Sequence, residues 1–342
     1  MENSNYSCNG SKAVSPVFQL ILILINALAI TAMLSYRIRH SRVHEPPPAH
    51  FHATSADTDP KIQAVRAGLH IDHFETFDTK ASDFTFFGTV WFETAPHQPT
   101  LDRLGRFNFE SGTILDQRPA TISVVGDKVI AQYAIKARIT RPMDHRLFPI
   151  DSHRLYFGVA NHDFSSDELQ FSSSTSDFSA DVPLAMFGWQ KVNEQVACGV
   201  KRIVIDEHDM TNVIEYPVAL FSIDIVRSGV QYLLLILLPL LFIFYLALFT
   251  LSASAQTAGI TASVMVAIPG YRIVVQSLVP SAGYLVLSDY LFFIFLAAAG
   301  SVFLVSIITS ASPSLTARHR QYAIVAIHLA VLTACGYLLA IA

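Results

Sequence analysis

The chain has 342 residues, of which 52% are hydrophobic and only 15% charged, against about 25% charged in a soluble globular domain, so a large part of it must avoid water. The formal net charge of −4 offers no basic surface and argues against nucleic acid as a partner. The three cysteines, Cys8, Cys198 and Cys335, fall in three different regions, so the chain must fold without a disulfide framework.

Residues 1–36 carry an apolar run, Val14 to Met33, long enough to cross a bilayer core of about 30 Å. Two readings stay open for it. Ala27-Leu28-Ala29 has the small residues of a signal-peptidase site, yet the preceding segment is hardly positive. A retained anchor explains the length, but Arg37, Arg39 and Arg42 come after it, and such residues prefer the cytoplasmic side. Residues 37–60 are polar and proline-rich and read as a linker. His44, His50 and His52 lie there without the rigid geometry of a metal site, and no metal is expected.

Residues 61–228 read as a β-sandwich. Val129, Ala131, Tyr133, Ile135, Ala137 and Ile139 alternate with a second set of positions, the period of two that marks a strand with one buried face. Phe84, Phe86, Val90 and Phe92 repeat it, as do Ala219, Phe221, Ile223 and Ile225. Turn signals at Ser111-Gly112 and Gly126-Asp127 separate the runs. By alternation, His70 and His73 are expected on opposite faces of one strand.

Residues 229–342 read as a four-helix transmembrane domain: Gly229 to Leu251, Gln256 to Val279, Leu285 to Ser310 and Tyr322 to Ala342. Between Ser228 and Tyr271 there is no Asp, Glu, Lys or Arg, and beyond that only Arg272, Asp289, Arg318 and Arg320. The two last arginines are expected in a cytoplasmic loop, which places the β domain outside.

The second of these helices differs from its neighbours. Gln256, Gly259, Ser263, Val266, Gly270, Ile273 and Ser277 form one narrow stripe of mostly small or polar residues. In an oligomer the stripe can line a water-filled path, with Val266 and Ile273 as rings that close it by dewetting. Close helix packing also favours small residues at this spacing. The stripe holds no charged ring. Arg272 needs a protein or aqueous partner at this depth.

Between two strand patterns lies Phe148-Pro149-Ile150-Asp151, continued by Ser152 to Gly158. This resembles the Pro-containing loop of pentameric ligand-gated ion channels, without the cysteines that flank it in vertebrate members. Three further matches come in the family's order: Arg227 ends the last strand before the first helix, Pro239 interrupts that helix, and Leu278 to Leu285 with Asp289 is similar to the family's link between helices two and three. Val65 to Glu93 is similar to its first two strands.

The resemblance implies a prokaryotic-type homopentamer in a cell membrane, the bacterial inner membrane, with the sandwich outside the cytoplasm. It makes Phe148, Pro149, Asp151, Arg227, Pro280 and Tyr284 coupling residues and puts Asn161, His162, Phe164 and Tyr216 near a ligand pocket at a subunit interface. With 13 histidines in the chain, protons are one candidate agonist. No enzyme motif and no cofactor signature is found. The alternative is a non-conducting membrane-anchored sensor that signals to a partner.

Overall fold

The computed structural model describes residues 15–40, 45–54, 62–96, 101–180, 183–206, 209–227, 231–252, 257–279, 283–311 and 317–341. The chain divides into two compact units. One comprises Met1–Ser41, His145–Ile150 and Gly229–Ala342, and the other Arg42–Asp144 and Asp151–Ser228.

The second unit is a β-sandwich. Its strands are β1 (Phe51–Ala53), β2 (Gln63–Asp78), β3 (Asp83–Thr94), β4 (Asn108–Glu110), β5 (Gly112–Gln117), β6 (Thr121–Val125), β7 (Lys128–Thr140), β8 (Ser152–Ala160), β9 (Leu169–Ser172), β10 (Phe178–Ala180), β11 (Trp189–Asp206) and β12 (Asp209–Arg227). One sheet runs β1-β11-β12-β8-β4. The other runs β10-β2-β3-β7-β5, with β6 added on β7 and β9 on β2. The inward positions of β3, β7 and β12 are those of the sequence alternation, and they meet in one core. Phe86 of one sheet meets Phe157 of the other edge-on at 5.3 Å, and Phe178 meets Phe221 at 5.3 Å. The aromatic filling explains how the sandwich closes without a disulfide. Both turn signals hold positive φ, at Ser111 (57°) and Gly126 (65°). The sheet also takes Phe51–Ala53 from the stretch read as linker, because β1 pairs with β11.

One local expectation is overturned. The β2–β3 register shifts between Ile71 and His73, and this bulge turns Asp72 and His73 outward together. His70, Asp72 and His73 therefore share the outer face, where His73 stacks on Phe87 at 4.8 Å. Gly88 sits opposite Ile71. A β-carbon on it would lie 2.3 Å from the backbone oxygen of His70.

Among its described residues, the other unit contains five helices long and apolar enough to cross a membrane: α1 (Pro16–His40), α3 (Gln231–Thr250), α4 (Thr257–Leu278), α5 (Leu287–Ala311) and α6 (Ala317–Ile341); α2 is a single turn, Leu101–Leu104, in the sandwich. α3 and α5 pack against each other, α4 lies against both, and α1 lies against α6 and α3. α1 and α6 run parallel, with Asn26 beside His328 and Met33 beside Gly336. Both outrun their apolar stretches. At 25 residues each is about 37 Å long, more than a bilayer core of about 30 Å. Arg318 and Arg320 thus lie on α6 itself and not in the loop expected from the sequence.

Gly88→Ala is expected to destabilise the sandwich by about 1–3 kcal/mol, because the atom in the way is backbone. Denaturant unfolding of the solubilised protein, monitored by Trp fluorescence, measures it, and an unchanged midpoint would show that the bulge yields.

Candidate functional site

The base of the sandwich carries a buried chain of charged groups. β8 and β12 pair antiparallel, with Val226 opposite Ser152, so one step further brings Arg227 beside Asp151. The guanidinium donates from Nε to Asp151 Oδ1 at 2.9 Å and from Nη2 to Oδ2 at 3.3 Å. The side chains are 9% and 1% exposed. On the adjacent strand Trp189 stands opposite Arg227, and its ring lies 4.5 Å below the guanidinium carbon, a cation–π contact.

Asp151 is shared. Its Oδ2 also lies 2.9 Å from Nε2 of His153, while Nδ1 of the same ring lies 3.0 Å from Glu45 Oε1. A neutral imidazole has one N–H and would set its other, unprotonated nitrogen against a carboxylate oxygen; only the imidazolium donates to both. Burial alone would lower the His153 pKa, but the hydrogen bonds to Asp151 and Glu45 outweigh it and raise the value to about 9. Glu45 does more than hold the ring. Its Oε2 accepts from the backbone N–H of Arg154 at 3.1 Å, and its carbonyl accepts from Tyr156 Oη at 3.2 Å. The next outward pair, Arg154 with Asp224, is doubly hydrogen-bonded. Glu45 and His153 were not anticipated from the sequence.

The remaining coupling candidates belong to the helical unit. Phe148 is 1% exposed and packs with Ile236 of α3, Val275 of α4 and Val286. Its carbonyl accepts from Ser288 N at 3.1 Å, and that of Arg146 accepts from Leu287 N at 2.8 Å. Backbone of the Pro149 loop thereby satisfies first-turn N–H groups of α5 that have no helical acceptor. Tyr284 Oη accepts from His145 N at 2.8 Å, and Arg146 lies over the Tyr284 ring. The Phe148–Pro149 peptide bond is cis. Pro280 lies outside the described residues.

The four ligand candidates separate into two pairs. Asn161 is fully buried and spent internally, donating to the carbonyls of Arg103 and Leu104 on α2 and accepting from Asp163 N of its own loop. Phe164 is in the sandwich core with Arg103 at 3.9 Å from its ring centre. Neither faces outward. His162 and Tyr216 do meet, edge to face at 4.2 Å. Tyr216 Oη donates to Glu110 at 2.9 Å, and Lys201 pairs with the other Glu110 oxygen. Burial and the Glu110 carboxylate both push the Tyr216 pKa upward, so this hydroxyl remains a donor.

On α4, Gly259, Ser263, Val266, Gly270, Ile273 and Ser277 are all exposed, with Val266 at 75% and Ile273 at 72%. A β-carbon at Gly259 or Gly270 would meet nothing within 4 Å. Gln256 lies outside the described residues. Thr261, Val264, Ile268 and Val275 form the opposite, buried face, and Met265 packs partly into the bundle core. Among the described residues, the two glycines of the stripe thus have open space beside them. Arg272 pairs with Asp289 of α5 and lies 5.4 Å from the Phe292 ring centre. Asp289 also accepts from Val286 N at 2.9 Å. No protein-family model matches the chain, and no curated protein matches it either.

The buried charges set two measurable outcomes. Asp151→Ala and Arg227→Ala should each destabilise the sandwich by about 3–5 kcal/mol, the cost of stranding a buried partner, and not the ~0–1 kcal/mol of an exposed pair. The double variant should lose less than their sum, and strict additivity in thermal unfolding would show that the contact carries no energy. For pH, the folded His153 value of about 9 exceeds the ordinary one of about 6.5. Its contribution is complete below about pH 6.5, declines above it and is gone once pH passes about 9. His153→Gln should flatten that alkaline limb of the stability profile.

Proposed function

We propose that this chain is one subunit of a homopentameric ligand-gated ion channel in a cell membrane, with the sandwich outside the cytoplasm, ligand sensed between sandwiches and α4 lining the pore. The observation that carries this reading is the outer face of α4. On α3 the exposed residues are bulky and apolar, including Leu234, Leu238, Phe242 and Leu246, and on α5 Phe293, Leu304, Ile307 and Ile308, which suits lipid. α4 is the least apolar of the five helices, and its exposed face sets Gly259, Ser263, Gly270 and Ser277 among the apolar Ile260, Val266, Ile273 and Val274. Lipid gives such a face no hydrogen-bond partners, whereas water does. Around a symmetry axis it becomes a wetted path with two apolar constrictions.

A second feature supports a ring. Two different parts of the sandwich expose apolar side chains: Ile122, Val124 and Val125 on β6, and Ile203, Val204, Ile205 and Ile214 on the β11–β12 hairpin. Two unlike patches on one subunit suit a heterologous, head-to-tail contact, which closes into a ring when the rotation permits. His162 and Tyr216 lie on the same hairpin and the adjoining loop and are the ligand residues retained from the family resemblance. If protons are the agonist, the group that senses them between pH 5 and 8 is not His153, which stays charged throughout that range.

Coupling is assigned to the Asp151–Arg227 pair. The boundary between the two units falls between Ile150 and Asp151, so consecutive residues of one loop serve the helices and the sheets. A two-state contact at this point is what links binding to opening.

Planar-bilayer recordings from the purified protein should show unitary currents. In a background lacking the native cysteines, Ser263→Cys and Val266→Cys should react with aqueous thiol reagents and block that current, while Met265→Cys reacts slowly. Equal labelling at all three positions would remove α4 from the pore, and specific labelling without current would favour the non-conducting sensor.

A further inference from the structure

β7 ends beside an arginine that the charge pairs of the sandwich do not account for. The strand pairs with β3 as far as Asp83 opposite Thr140, and the Arg141 N–H then donates to the Ser82 carbonyl at 3.1 Å. Pro142 follows, which holds Arg141 extended and stops the ladder. The Arg141 side chain lies over Tyr156 of β8, with the guanidinium carbon 4.3 Å from the ring centre. Arg66, Arg138, Arg154 and Arg227 each sit on a carboxylate. Among the described residues, Arg141 has no carboxylate within ion-pair distance.

The charges at this end of the sandwich do not balance. Against Arg141, His153, Arg154 and Arg227 stand only Glu45, Asp151 and Asp224. Glu45 is the carboxylate whose field reaches Arg141, yet both its oxygens are engaged, by the His153 ring and the Arg154 N–H. Burial pushes the Arg141 pKa downward, as it does for a cation short of solvation. A surplus cation in such surroundings calls for an anion.

Beside the guanidinium the two sheets leave a cavity of about 10 Å³, room for one water-sized group. Phe84 and Ile139, paired across β3 and β7, line it together with Leu155 and Phe157 of β8. All four are buried. Apolar walls give water no partners, whereas they accept a methyl group. We propose that this corner is a binding site for a short aliphatic carboxylate of the size of acetate or propionate, its carboxylate on the Arg141 fork and its alkyl end in the hollow. A guanidinium offers two parallel N–H groups that match a carboxylate, and the bound anion supplies the missing negative charge. The site lies within the sandwich and does not depend on the channel reading. A ligand that binds only the folded sandwich stabilises it by mass action.

The test uses the full chain in lipid nanodiscs and follows unfolding by Trp fluorescence while sodium propionate replaces sodium chloride at constant ionic strength. The wild-type midpoint should rise and saturate. Across formate, acetate, propionate and pivalate, the shift should be largest for acetate or propionate and absent for pivalate, whose bulk the hollow excludes. Arg141→Gln should weaken propionate binding on the order of ten- to a hundredfold, the scale of lost charge-assisted hydrogen bonds. Arg138→Gln, at an exposed position of the same strand, should leave it unchanged. An unmoved wild-type midpoint, or equal shifts for formate, phosphate, propionate and pivalate, overturns the proposal. So does a propionate response that survives Arg141→Gln. The anion series needs no variant, so it decides the question even where Arg141→Gln does not fold.

Discussion

The arrangement at the base of the sandwich turns on a single carboxylate with more demands on it than it has equivalents. Asp151 is 1% exposed and faces two cations, Arg227 and the His153 imidazolium. One negative charge cannot neutralise both, and a buried surplus of positive charge is expensive. Glu45 supplies the second carboxylate from outside the strand order. The result is a balanced four-member alternation of charge, Glu45–His153–Asp151–Arg227, capped by the Trp189 ring. Each member is satisfied only while its neighbours stay in place, so the network has one low-energy arrangement and a steep cost for leaving it.

The sequence made parts of this legible for identifiable reasons. Alternation revealed the inward faces of β3, β7 and β12 because period two survives wherever a strand is regular. It failed at His73, where a bulge inserts one residue and reverses the parity until a second register shift between Phe74 and Thr76. Asp151 and Arg227 could be paired because each ends a recognisable segment. Glu45 could not, since it sits in a proline-rich stretch 108 positions from His153, and nothing in local composition announces so distant a partner. Asn161 and Phe164 became ligand candidates through the family resemblance alone, and both are buried. The pattern locates a loop, whereas burial depends on which side chains that loop needs to close itself.

In the helical unit, hydropathy located the spans but said little about what their polar residues do. The structure gives several of them partners. Arg272 and Asp289, the only charges between Arg227 and Arg318, find each other across α4 and α5. Asn26 is bonded to α3 and α6. Pro149 interrupts no ladder, because the loop around it is occupied with the free N–H groups at the start of α5. In each case the constraint is the same: a polar group away from water must be paired within the protein.

Applied to α4, that constraint leaves an imbalance. The Ser263 hydroxyl donates back to the Gly259 carbonyl at 3.0 Å, a local bond that still leaves its lone pairs facing outward. Beside Gly259 and Gly270 the described residues leave open space. Two outcomes remain physically reasonable for such a face: close contact with another helix, or water. A close helix contact would accommodate the glycines but would have to make room for Val266 and Ile273, 75% and 72% exposed, which stand one on each side of Gly270. A narrow water-filled lumen tolerates both, with the small positions widening it and the large ones pinching it. That alternation of small and large along one face is the observation the pore proposal draws on.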